Sequence, residues 1–235
     1  MNSQFIKQNP LLSALVSAVL ALPLVFASYF ALEPTVAQGQ LSPEFTITQT
    51  ITEEISFTLN PDNVTMDTTF SGLAGGTSNG STEFTIRTNA PDGYNVELVF
   101  DTSADTDNAM TYDADPDNFY FVNLGTIGQN DLVAPTTASS APLFAYTVGG
   151  PNVDSDFADD GSICSGGSTG TLNACWSMPS DAGDSQLIIN ATAPTTGDGN
   201  TNQLGFRVVA GPDPDPALPT GTYTATATLT AAVNN

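Results

Sequence analysis

The chain has 235 residues, 25 of them acidic against three basic, and a formal charge of −22. That charge excludes nucleic acid and anionic membrane surfaces as partners, because both are recognised through basic patches. There is no histidine and the single lysine is Lys7, so catalytic triads, Ser–Lys dyads, Schiff bases and histidine metal sites are excluded too.

Lys7 is followed by an apolar run from Leu11 to Phe26 and then by small residues, the pattern of a secretory signal. Cleavage is expected after Ala27 or, since Gln38 opens the polar sequence, after Ala37. The alternative is an uncleaved anchor, because weakly apolar character continues through Phe30 to Leu32 and a run of that length spans a bilayer. Either way residues 38–235 are expected to be extracellular or on the cell surface. They suffice for one β domain with its own core, and their only basic residues are Arg87 and Arg207.

Residues 38–54 form an extended arm or a first strand. From Phe45 to Leu59 the odd positions read Phe45, Ile47, Gln49, Ile51, Glu53, Ile55, Phe57 and Leu59, while the even positions are threonine, serine and Glu54. An extended strand keeps such a pattern in one phase, but at Glu53 an inward carboxylate is costly to bury. Ile55–Leu59 is therefore the expected first strand. Phe45, Ile47 and Ile51 then belong either to an arm that adds to a neighbouring subunit's sheet or to a first strand that crosses between the two sheets at Glu53.

Further along, Phe84 and Ile86 alternate with polar residues in Thr82–Thr88, as do Val96 and Leu98 in Tyr94–Phe100. Asn89-Ala90-Pro91-Asp92-Gly93 between them is turn chemistry, and the two runs predict a hairpin. Phe119–Leu124, Leu143–Val148, Gln186–Ala191, Gln203–Ala210 and Thr222–Val233 are further strands, with Asp101–Asn118 and Asp154–Leu172 as long loops. No stretch has helical periodicity. Eight or nine strands with polar turns imply an all-β sandwich of two sheets over residues 55–235.

Asp101, Asp105 and Asp107, then Asp113, Asp115 and Asp117, place carboxylates at alternating positions, as a loop wrapping calcium requires. Asp154 and Asp156, with Asp159 and Asp160, form a second cluster. The spacing is not that of an EF-hand, since Asn118 and Leu124 stand where glycine and the bidentate glutamate belong. Calcium and plain solvated charge both remain open. Cys164 and Cys175, an isolated pair in an exported chain, predict a disulfide. Gly166-Gly167-Ser168-Thr169-Gly170 matches a nucleophile elbow in letters only, for no base is present to activate Ser168. No catalytic residue is singled out. Asn63, Asn79 and Asn190 open glycan acceptor sequons.

The stretch from Gly80 to Tyr94 resembles a recurring feature of uncharacterised secreted surface proteins of environmental bacteria, and so does Pro219–Ala231. The closing Gly221-Thr222-Tyr223-Thr224 strand is also similar to the endings of spore-coat-U-type pilin domains and WxL-type wall-binding domains. The resemblance implies an immunoglobulin-like or pilin-like surface domain and no catalytic residue.

The function expected is that of a non-enzymatic extracellular structural protein that self-associates into a surface filament or coat. A monomeric adhesin or carbohydrate-binding module with a glycan or surface ligand is the alternative. A carboxylate-dependent glycoside hydrolase comes third, because such chemistry needs only two placed acids.

Overall fold

The computed structural model describes residues 44–102, 107–123, 141–162, 164, 166–179 and 184–234. The predicted signal segment (residues 1–37) lies outside them, as do Asp105 and Leu124. Residues 44–54 carry no strand, so a first strand crossing between sheets at Glu53 is not formed.

The remainder is all-β. Eleven strands follow in the described residues: β1 Ile55–Leu59, β2 Gly76–Thr88, β3 Tyr94–Phe100, β4 Met110–Tyr112, β5 Tyr120–Phe121, β6 Leu143–Gly149, β7 Trp176–Ser177, β8 Gln186–Ala191, β9 Asn200–Ala210, β10 Tyr223–Thr224 and β11 Ala227–Val233. A five-stranded sheet runs β1-β2-β9-β6-β7, a three-stranded sheet runs β11-β3-β8, and a small one runs β10-β4-β5. The first two face each other across the core to form a β-sandwich. Phe100 of β3 meets Phe144 and Tyr146 of β6 at ring distances of 5.6 and 5.3 Å, and Asn200 of β9 donates to the Tyr94 hydroxyl at 3.1 Å.

The pairing corrects the sequence expectation in its most specific point. Thr82–Thr88 and Tyr94–Phe100 are not a hairpin: β2 pairs with β1 and β9, while β3 pairs with β11 and β8. Asn89–Gly93 is an arch that carries the chain across the core. The turn chemistry is as expected, with Gly93 at φ +85° and its N–H donating to the Ala90 carbonyl at 3.1 Å. A local reversal does not decide which strand lies alongside, however. β2 finds a longer partner in β9, in register from Gly76–Ala210 to Ile86–Asn200. Phe84 and Ile86 then meet Tyr94, Val96 and Leu98 in one buried cluster.

Other elements differ less. Thr222–Val233 is split into β10 and β11, because β10 leaves to pair with β4. The predicted loop Asp101–Asn118 contains β4, and Asp154–Leu172 contains a 3₁₀ turn at Ser155–Phe157. Of the predicted strand Phe119–Leu124, Tyr120–Phe121 is strand among the described residues 119–123. β6 is buried at every position. On its outer side Ala145 packs with Trp176 and Met178, and the Thr147 hydroxyl accepts from the Asn173 N–H at 3.2 Å.

Candidate functional site

The sandwich has a seam between the chain that follows β1 and the last strand, β11. After Leu59 residues 60–70 form no strand but stay beside β2. Asp62 N donates to Thr82 Oγ1 at 2.8 Å, Asp67 N to Asn79 O at 2.7 Å, and Thr68 N to Ser78 Oγ at 3.0 Å. The Asp67 carboxylate accepts from Asn79 N and Ser78 Oγ at 2.8 and 3.0 Å, bonds that hold it below its usual range. Val64 rests over Gly80, where a Cβ would stand 2.4 Å from the valine Cγ1.

Across the seam β11 is ordered by β3 alone, from Ala227–Phe100 to Val233–Tyr94, without a bulge. Leu229, Ala231 and Val233 turn partly inward. Between the two walls is a cavity of about 450 Å³, with Val64 and Met66 on one side, Tyr223 and Leu229 on the other, and Phe100 and Phe144 in its floor. A second cavity of about 770 Å³ adjoins it through Met66, Met110 and Tyr223. The Tyr223 hydroxyl donates to the Pro219 carbonyl at 3.1 Å, and burial, with Tyr112 close by, pushes its pKa up to about 12.

The predicted arm residues are exposed: Phe45 83%, Ile47 84% and Ile51 80%. The root of the arm is tied to the β2–β3 arch. Asn89 Oδ1 accepts from Glu54 N at 2.7 Å, Asn89 Nδ2 donates to Thr52 O at 2.9 Å, and Thr88 Oγ1 donates to Glu54 O at 2.6 Å.

The predicted calcium residues are spread over separate features. Asp101 follows β3, its N–H donating to Thr226 O at 2.9 Å. Asp107 has a left-handed backbone, φ 54°. Asp113, Asp115 and Asp117 lie between β4 and β5, where Asp115 accepts from Asn118 Nδ2 at 2.9 Å. Asp154 caps the 3₁₀ turn by accepting from Asp156 N at 3.1 Å. Asp159 is buried and accepts from Gly161 N and Thr171 N at 3.1 and 2.9 Å. Among the described residues no three such groups converge to hold a metal ion.

The Cys164–Cys175 disulfide is formed, with Cα atoms 5.4 Å apart. A loop of this length contributes about 3 kcal/mol by the chain-entropy estimate. Ser168 is exposed in this loop. Of the sequon asparagines, Asn63 and Asn190 are exposed, whereas Asn79 Oδ1 accepts from Arg207 Nε at 2.8 Å. Arg207 also lies over the Trp176 ring, 4.5 Å from its centroid.

No protein-family model and no curated protein matches this sequence. Among the described residues no helix is long and apolar enough to cross a membrane.

Proposed function

We propose that the protein is a non-enzymatic extracellular structural protein, a subunit of a surface filament or coat that assembles by donating its N-terminal arm to the sheet of a neighbour. The observation that carries this reading is the arm itself. Phe45, Ile47 and Ile51 are three of the five large apolar side chains left exposed among the described residues, and their odd positions put all three on one face once the segment is extended as a strand. Burying a side chain of this kind stabilises by about 1.5–3 kcal/mol, which a neighbouring sheet supplies. The repeat is head-to-tail, and head-to-tail contacts that do not close make fibres. The N-terminal apolar run and the disulfide support an extracellular location.

Deleting residues 38–52 tests the reading by sedimentation and negative-stain imaging. Folded monomers that no longer polymerise are expected. A truncated protein that still forms fibres, or an intact protein that never does, overturns it.

A second reading, a glycan-binding surface, has its own observation. Phe119, Tyr112 and Tyr223, each partly exposed, form a chain of ring contacts at 6.1 and 5.3 Å at the small sheet. Asp113, Asp115 and Asp117 flank it. Rings with neighbouring carboxylates suit a sugar's C–H face and hydroxyls. Titration with oligosaccharides that leaves tyrosine fluorescence unchanged would remove this reading.

A further inference from the structure

Resting on the filament reading, we propose that the acceptor is the β11 edge of a second copy of this chain. There Phe45, Ile47 and Ile51 of one molecule enter the seam beneath β11 of the next.

The first argument is an account of the edges. An exposed strand edge is a template for another chain, and folded proteins cover, shorten, charge or bulge their edges to prevent pairing. Here β2 from Ser78 to Thr82 is covered by residues 60–70. β8 is covered by residues 152–154, through Asp154 N to Ile188 O at 2.9 Å and Asn190 N to Asn152 O at 2.8 Å. β1, the end strand of the five-stranded sheet, has five residues and an irregular register between Phe57 and Leu59, and β5, β7 and β10 have two residues each. β11 is seven residues long, contains neither proline nor charge, has no bulge, and pairs on one side only among the described residues.

The second argument is charge. Two molecules that each carry −22 repel over most of their surfaces. The stretch from Phe45 to Thr52 has no charged residue, and neither has the stretch from Leu218 to Asn234. Contact between these two neutral segments avoids opposing like charges in the strands themselves.

The third argument is fit. Phe45–Ile51 spans seven residues, as β11 does, so a strand added there runs its full length. Its odd side chains then face the cavity floored by Phe100 and Phe144, while its threonines stay in water. Main-chain bonds to the edge supply affinity and the seam selects the apolar face.

The test uses two full-length proteins, one with Thr48→Cys on the arm and one with Thr230→Cys on β11. Both positions are exposed, and the native cysteines are already paired. The proteins are mixed, allowed to assemble and oxidised. Intermolecular disulfides are expected roughly a hundred-fold above those of a control mixture with Thr196→Cys, because docking holds the pair at an effective millimolar concentration. Thr228→Cys serves in the same way should Thr230→Cys not fold. Polymers whose cross-links are no more frequent at β11 than at Thr196 overturn the acceptor and leave the filament reading standing. Absence of any polymer from the unmodified protein overturns both. A single chain bearing both cysteines that closes on itself as a monomer overturns the second copy as occupant.

Discussion

Two walls of one seam are finished in different ways. From Thr77 to Thr82 the outer edge of β2 is met by a segment that is not a strand, yet Asp62, Asp67 and Thr68 reach its polar groups through a mixture of main-chain and side-chain bonds. Opposite it, the seven residues of β11 approach β1 but pair with no strand except β3 among the described residues. The difference teaches that an edge can be satisfied without a ladder when acid and hydroxyl side chains supply the acceptors. In a chain so rich in aspartate and threonine, the bare edge is therefore not a shortage of material.

The comparison breaks most visibly at the shared floor. Phe144 is 2% exposed and packs edge-on against Phe100. Phe144→Ala is expected to lower unfolding free energy by about 3–5 kcal/mol in urea titrations of the subunit. A loss below about 1 kcal/mol would mean that the floor beneath β11 is not part of the core.

The covered wall is sharpened by Ser78, which is 1% exposed and donates within 3.0 Å of Asp67 Oδ1 while accepting from Thr68 N. Ser78→Ala leaves the Thr68 N–H without that acceptor, an expected cost of about 1–3 kcal/mol. Thermal unfolding checks it. An unchanged midpoint would mean that residues 60–70 lie beside β2 without holding to it.

The smallest effects separate the walls by pH. Asp67 is held below its ordinary 3.8 by hydrogen bonds to Asn79 and Ser78. Its contribution is thus present above about pH 3.8 and is lost as pH falls through the lower folded value. Tyr223 is raised from 10.0 to about 12, so its contribution is complete below pH 10 and is lost as pH rises through about 12. Burial also raises Tyr94 and Tyr146. Tyr223→Phe should therefore reduce the alkaline loss without abolishing it, and Asp67→Asn should flatten only the acid limb. Stability measured against pH for both variants decides this, and a swap of the two limbs would refute the assignment.

Much of the fold was legible because burial writes itself as alternation. Ile55–Leu59, Leu143–Val148 and Gln186–Ala191 lie where period-two patterning or a short apolar run puts strands. The disulfide followed from two cysteines eleven apart in a chain expected to be exported. The hairpin misled because Pro91 and Gly93 specify a reversal, while partner choice depends on β9 and β11, more than a hundred residues away. β4 and β7 are too short to show a period. The arm was legible as a pattern, but its proposed acceptor was not. That groove is assembled from Val64, Phe100, Phe144 and Leu229, which no local window contains, and its other wall is held by side chains that leave no periodicity.

Asn89 gives the arm a mechanical character. Its amide grips both Thr52 and Glu54, and Thr88, the residue before it, adds a further side-chain bond to Glu54 O. Tension entering at the N-terminal end of the domain meets this clasp before it reaches the five-residue β1 ladder. The clasp is part of the arch between the two sheets, so the load passes to both layers together, and a pull that would peel a short edge strand is shared by the whole sandwich.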